Sequence, residues 1–122
     1  MTVRKDQVAN ELARRGYRVI HETAKKQGWQ LGQGLPIYVN LMSESGVTSM
    51  VVHPEVKAPK FANEAEGSSC GSTWFHSSNM KLYPKRQHRG VNPISYGWPI
   101  TFTSEEGMKA FLTLVETDVS LP

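Results

Sequence analysis

The chain has 122 residues, of which 39% are hydrophobic and 20% charged, with a formal net charge of +3 and a single cysteine. This length fits one domain with a core of its own, and one cysteine excludes an intrachain disulfide. No apolar run approaches the roughly 20 residues that a membrane-spanning helix needs, and the N-terminus has no secretory leader pattern, so we expect a cytoplasmic protein without a membrane segment.

The first third of the chain predicts a helix followed by two strands. In residues 5–15 the apolar side chains recur at the four-residue spacing of an amphipathic helix, and Gly16 can end that helix. Residues 17–24 alternate in the manner of a half-buried strand. Residues 25–28 then predict a turn, and residues 29–31 a short partner strand.

The middle of the chain predicts an antiparallel hairpin at the centre of the fold. Residues 35–42 and 47–53 are rich in β-branched, aromatic and large apolar side chains, which suit a pleated surface. The four residues between them have turn composition, and Gly46 can take a positive φ at no steric cost. Pro54 lacks the N–H that a ladder needs, so the second strand should end at His53.

Residues 54–96 show no clear pattern within an otherwise regular domain. The segment holds four prolines and a run of glycines and serines at residues 67–72. A helical turn is predicted within residues 55–66 and a short strand at residues 80–83. An irregular connection of this length is unusual in a compact domain, so we expect it to be functional or mobile.

The C-terminal part predicts an edge strand and the last helix. Residues 96–102 are largely aromatic and apolar, and Pro99 favours the edge of a sheet. Thr103 and Glu106 have the spacing of a capping box, which begins a helix at residues 104–116. The apolar side chains of this helix share one face, which should pack on the hairpin: Met108, Phe111, Leu112 and Val115.

The histidines and the cysteine raise two hypotheses. A metal site would draw on them, but none shows the short spacing of zinc ligands, and structural histidines are the alternative: His21, His53, His76 and His88. Cys70 and His76 could instead form a nucleophile and its base, against the alternative of a free cysteine in a loop. We expect no metal and no cofactor.

The tripeptide Glu55-x-Lys57 has the spacing of a metal-dependent nuclease motif that follows a strand. That chemistry needs a second acid upstream to share a Mg²⁺ ion. The available acids, Glu22 and Glu44, lack the sequence context of that motif. A nuclease, or any other enzyme, therefore ranks below a binding function.

Residues 81–89 form a basic segment with four permanent positive charges, one histidine and no acid. Together with nearby aromatic residues, it has the composition of a surface that contacts phosphates and stacks on bases. The alternative is a solvated basic loop over a core that uses those aromatics for packing. The residues concerned are Lys81, Lys85, Arg86, His88 and Arg89.

Short motifs along nearly the whole chain resemble the YgaC family of small bacterial proteins of unknown function. These motifs are Val8-Ala9 and Leu12 before Gly16-Tyr17, Tyr38-Val39-Asn40, Gly46-x-Thr48 leading to Val52-His53-Pro54 and Lys57, Tyr96-Gly97-Trp98-Pro99 with Phe102, and Phe111-Leu112. The resemblance implies a two-layer α+β fold, with N- and C-terminal helices on one face of a curved antiparallel sheet of about four or five strands. That architecture is similar to the N-terminal domain of the competence regulator TfoX and, more distantly, to type III secretion chaperones.

We therefore expect a single α+β domain over residues 1–122 that binds a protein partner without catalysis. An open sheet edge or an apolar groove would capture the partner, and the same edge would suit a second copy of the chain in a homodimer. Nucleic-acid binding ranks second and an enzyme third. The residues expected to bind the partner are Trp74, Phe75, Tyr96 and Trp98.

Overall fold

The computed structural model describes residues 3–41, 50–86 and 92–117. Within them lie three helices: α1 (Lys5–Arg14), α2 (Ala58–Glu64) and α3 (Glu105–Thr117). Eight strands lie between them, four before α2 and four after it: β1 (Arg18–Glu22), β2 (Lys26–Gln30), β3 (Ile37–Asn40), β4 (Met50–Val52), β5 (Ser68–Cys70), β6 (Phe75–His76), β7 (Lys85–Arg86) and β8 (Ile94–Phe102). None of these helices combines the length and the apolar character that a bilayer crossing requires.

All the strands pair antiparallel in one curled sheet. Strands β1 to β4 follow one another as neighbours, and β8 lies beside β4. The other side of β8 is covered in succession by β5, β6 and β7, which are only two or three residues long. The expected two-layer α+β fold is confirmed, with six strands along the main path of the sheet.

The hairpin predicted for residues 35–42 and 47–53 is present as β3 and β4. Its strands pair antiparallel, with Tyr38 opposite Val51. The predicted turn between them lies outside the described residues. The turn predicted at residues 25–28 is wrong, because β2 already begins at Lys26. Thr23 closes a tighter turn there, since its N–H donates to the Lys26 carbonyl at 2.9 Å and its hydroxyl accepts from the Lys26 N–H at 3.1 Å.

The prediction of an edge strand at residues 96–102 is also wrong, because β8 has partners on both sides. On one side, the N–H of Gly71 donates to the carbonyl of Pro99 at 2.9 Å. In an antiparallel strand, the N–H and the carbonyl of one residue point to the same side. An N–H at position 99 would therefore point to the same side as the Pro99 carbonyl, into the gap between Cys70 of β5 and Phe75 of β6. The proline therefore removes no hydrogen bond from the ladder.

One face of the sheet carries the helices and the main core. Phe111 of α3 packs edge-on against Phe102 of β8, with 5.8 Å between ring centroids. Val115, at the end of the predicted apolar stripe, is only partly buried but contacts the same core. The largest fully buried side chains of this core are Leu12, Ile37, Met50, Ile100, Phe102, Met108, Phe111 and Leu112.

The opposite face of the sheet is covered by the loop of residues 77–84. The strand predicted at residues 80–83 is wrong, because these residues form turns that two tyrosine hydroxyls hold in place. Tyr83 is buried, and its hydroxyl lies 2.7 Å from the Pro36 carbonyl and 2.8 Å from the Val51 carbonyl. The hydroxyl of Tyr38 accepts from the N–H of Leu82 at 3.2 Å.

Helix α3 begins one residue later than the predicted capping box. The hydroxyl of Ser104 caps the helix, accepting from the N–H of Gly107 at 3.0 Å. Thr103 instead donates its backbone N–H to the carbonyl of Gly67 at 2.8 Å. Helix α3 thus begins directly against the turn between α2 and β5.

Candidate partner-binding surface

Three half-buried aromatic side chains form a cluster at one end of β8. Tyr96 and Trp98 are two residues apart in the strand, so they point to the same face. Trp74, which precedes β6, lies between them, with ring centroids 4.9 Å from Tyr96 and 3.9 Å from Trp98. We call Trp74, Tyr96 and Trp98 the aromatic cluster. The structure thus brings together three of the four residues predicted to bind a partner.

A cation lies directly beside the aromatic cluster. The guanidinium of Arg86 in β7 is 5.6 Å from the centroid of the Tyr96 ring, within the range of a cation–π interaction. Arg86 is exposed, whereas the three rings are half-buried. Trp98 also contacts the main core, so one end of the aromatic cluster is anchored in the domain. The result is a supported apolar surface with a positive charge at its margin.

Phe75, the fourth predicted residue, lies on the other face of the sheet. It is opposite Gly97 in the ladder, and Gly97 alternates with Tyr96 and Trp98. Phe75 packs instead against the small core that covers this face, which contains Tyr38, Val51, Met80 and Tyr83. Phe75 therefore does not contribute to the surface of the aromatic cluster.

The described part of the basic segment, residues 81–86, is divided between two faces. Lys85 lies opposite Ser95, and Arg86 lies opposite Ile94, so these two basic side chains point to opposite faces of the β7–β8 ribbon. Lys81 lies near Lys85, and both line the same pocket. His88 and Arg89 fall outside the described residues.

The proposed pair of Cys70 and His76 is not formed. Their ladder partners on β8 are Ile100 and Tyr96, which are four residues apart, or about 13 Å of extended strand. Burial raises the pKa of the Cys70 thiol to about 11, which keeps it protonated at neutral pH. Its Sγ donates to the Gly71 carbonyl at 3.4 Å. The sequence hypothesis of a thiol nucleophile paired with His76 is therefore wrong.

The acids of the nuclease hypothesis also lie apart. Glu22 is on β1, three strand spacings or about 14 Å from β4, which precedes Glu55. Glu44, the other upstream acid, lies outside the described residues. No group of three metal-ligating side chains is found in the part of the chain that the structure describes.

Two histidines flank a row of tyrosines on the face opposite the helices. His21 Nδ1 is 2.8 Å from the hydroxyl of Tyr38, and the rings of Tyr38 and Tyr83 meet edge-on at 4.9 Å. His53 closes the row, 5.3 Å from Tyr83, and its Nδ1 accepts from the N–H of Glu55 at 3.1 Å. Burial lowers the pKa of His53 and raises the pKa of both tyrosines. These contacts agree with the structural role predicted for His53.

Lys26 is a buried cation that the sequence does not reveal. It is 4% exposed, its Nζ lies 3.4 Å from Asn40 Oδ1, and the ring of Phe75 is 5.3 Å away. Burial lowers the pKa of the Lys26 ammonium, and the charge of Lys25 adds to this effect. Alternation of side chains around Trp29 could have extended the strand predicted at residues 29–31 back to Lys26. Because lysines are seldom buried, the composition of residues 25–28 favours a turn instead.

Comparison with known proteins gives matches along almost the whole chain. A family model described as a protein of unknown function, DUF2002, matches residues 1–115. The uncharacterized protein YgaC of Escherichia coli O6:H1 is 31% identical over 112 residues, which is 92% of this chain and 93% of that protein. The YgaC proteins of Escherichia coli O157:H7 and Shigella flexneri match with the same identity and coverage.

Proposed function

Because the chain belongs to the DUF2002 family of proteins of unknown function, its function has to be argued from its own surface, and we propose that it is a non-catalytic module that binds a protein partner on the aromatic cluster. This membership confirms the resemblance to YgaC proteins. The observation that carries the proposal is the contact of two tryptophans and a tyrosine beside Arg86. Tryptophan, tyrosine and arginine are the residues that most often dominate binding energy at protein interfaces.

The packing of the aromatic cluster supports this function. Trp74 contacts both Tyr96 and Trp98, and Trp98 also rests on the core, so the rings are held before a partner arrives. A surface that is already ordered loses less conformational entropy on binding. We further propose that the module acts in the cytoplasm, because a single unpaired cysteine is ordinary in that compartment.

The outer edge of the sheet is less suited to the partner than the aromatic cluster. Val19 pairs with Trp29 and His21 pairs with Gly28, so Ile20 is an extra residue that bulges out of β1. A bulge interrupts the regular ladder that an added strand would have to continue. The side chains of Val19 and Ile20 are 42% and 45% exposed, but the interrupted edge disfavours strand addition by a partner or a second copy.

Single-stranded nucleic acid is a second candidate for the same surface. The observation in its favour is the position of the Arg86 guanidinium over Tyr96, because aromatic rings with a neighbouring arginine also stack on bases. The separation of Lys85 from Arg86 counts against a continuous phosphate track. Protein binding therefore ranks first.

Affinity capture from cell extract, with and without nuclease, tests the proposal. We expect the wild-type chain to retain a partner after nuclease treatment and Trp74→Ala to lose it, because Trp74 joins the other two rings. The matched control is Leu82→Ala, since Leu82 is 41% exposed and lies on the opposite face of the sheet. Thermal melts establish that both variants are folded.

Two outcomes would overturn this assignment. Equal losses in Trp74→Ala and Leu82→Ala would show that the aromatic cluster has no specific role. Loss of the partner on nuclease treatment would favour nucleic acid as the ligand.

A further inference from the structure

A pocket lies beside the β7–β8 ribbon, on the face away from Arg86. It has a volume of about 510 Å³, within the usual range of small-molecule sites. From its composition we propose that it binds the phosphate group of a small phosphate monoester. Its lining residues are Ser78, Lys81, Lys85, Pro93, Ile94 and Ser95.

The charge of the pocket has one sign. Lys81 and Lys85 are exposed, and among the described residues none that lines the pocket is acidic. The salt bridges in the described residues all involve α1 and its flanking arginines, so neither lysine is neutralised in this way. Two ammonium groups on one concave surface, without a carboxylate between them, attract an anion with several acceptor oxygens.

The base of the pocket supplies a neutral donor. Ser95 is 1% exposed and contributes to the pocket lining. Lys85 is its ladder partner, so both side chains point to the same face of the ribbon. The hydroxyl of Ser95 can donate to a phosphate oxygen that enters the pocket.

The shape of the pocket favours a small molecule over a polymer. Pro93 gives it an apolar side, which can contact the organic part of a monoester. Arg86 lies on the opposite face of the ribbon, so it does not extend the positive charge along a strand of nucleic acid. The pocket therefore fits one phosphate group with an attached apolar or planar moiety.

Titration of the full chain, followed by amide chemical shifts in NMR, tests this site. The probes are inorganic phosphate, adenosine 5′-monophosphate and adenosine. We expect saturable shifts around Lys85 and Ser95 with both phosphates and none with adenosine. Lys81→Ala and Lys85→Ala should each weaken binding about tenfold, the loss expected for one charge-assisted hydrogen bond.

Two further variants separate a specific site from general attraction. Ser95→Ala keeps the net charge and removes only the buried hydroxyl, so it should also weaken phosphate binding. Lys109→Ala removes a positive charge from the exposed side of α3 and should leave binding unchanged. Equal effects of Lys109→Ala and Lys85→Ala, equal binding of adenosine and its monophosphate, or no saturable shift at all would each overturn the proposal.

This site stands independently of the partner surface. Trp74→Ala should leave phosphate binding intact, and Lys81→Ala should leave partner capture intact, because the two regions lie on opposite faces of the ribbon. The failure of one proposal is therefore distinguishable from the failure of the other.

Discussion

His53 illustrates how one side chain links burial to pH. Burial lowers its pKa, partly offset by the charge of Glu55, so the folded chain binds a proton on this ring less tightly than the unfolded chain does. The stability that the neutral ring provides is therefore complete above the unfolded pKa of about 6.5 and is lost as the pH falls below it. We expect the melting temperature of the wild type to fall more steeply between pH 7.5 and 5.5 than that of His53→Gln. Parallel curves would contradict this account.

The same residue should matter for stability but not for binding. His53 accepts a hydrogen bond from the Glu55 N–H and contacts the buried Tyr83 ring, so His53→Ala loses contacts that hold the chain between β4 and α2. We expect a lower melting temperature with partner capture unchanged. A metal bound by His53 in native protein, found by elemental analysis, would refute the structural role.

Loss of the Phe111 side chain should strongly destabilise the protein. Its side chain is fully buried and packs on Phe102, so Phe111→Ala leaves a cavity in the main core. Such truncations cost about 3–5 kcal/mol of the free energy of unfolding, measurable by urea denaturation. The control is Lys109→Ala on the exposed side of the same helix, which should stay within about 0.5 kcal/mol of the wild type. Similar midpoints for the two variants would show that Phe111 is not a core residue.

Single residues differ in how far the sequence predicts their surroundings. The burial of Phe111 follows from the spacing of apolar side chains along one helix. The burial of Lys26 and Ser95 depends on residues that are distant in the chain, Phe75 and Lys85 among them. The spacing of side chains along one element carries no information about such neighbours.

At the level of elements, α3 depends on two glycines that pack closely. A Cβ on Gly107 would lie 2.5 Å from the carbonyl carbon of Gly67 and 2.7 Å from the carbonyl oxygen of Glu66. Gly67 has a φ of +96°, which other residues rarely adopt, so the turn cannot easily move away. We expect Gly107→Ala to destabilise the protein by about 1–3 kcal/mol, the usual cost of overpacking.

A loss of stability in Gly107→Ala can be assigned to packing, because helix propensity alone would give a gain. Alanine is the better helix former by about 1 kcal/mol, so in an isolated helix the substitution would stabilise. Chemical denaturation measures the difference, and Ser104→Ala provides a comparison, because losing the cap should cost about 1 kcal/mol without any clash. An increase in stability for Gly107→Ala would contradict the close packing.

The long elements could be predicted and the short ones could not. The end helices have enough residues to show a period, and the central hairpin is marked by its β-branched and large apolar residues. Strands β5, β6 and β7 have two or three residues and no period, and they are strands only because β8 offers an edge to pair with. The alternation of β8 likewise explains why Phe75, next to Trp74 in sequence, lies away from the aromatic cluster.

For the whole molecule, salt distinguishes the two candidate functions. Docking on an aromatic surface is governed by apolar contacts, so affinity for a protein partner should change little between 50 and 200 mM salt. Nucleic-acid binding should instead weaken as salt is added. The slope of log affinity against log salt concentration should become shallower by about 0.7–0.9 for each phosphate contact removed. We expect the affinity for the captured partner, measured by calorimetry, to be nearly independent of salt concentration. Steep dependence that disappears when Lys85, Arg86 and Arg89 are neutralised together would favour nucleic acid.

The buried position of Lys26 makes this residue a natural reporter of how often the sheet is uncovered. Amine-reactive reagents acylate only lysines that they can reach, and the other lysines of the described residues are all exposed, including the adjacent Lys25. In a time course followed by peptide mass spectrometry, Lys25 should react at once. Lys26 should react only as fast as Phe75 and the residues around it separate from β2. The ratio of the two rates would then measure the opening of this layer without any engineered probe.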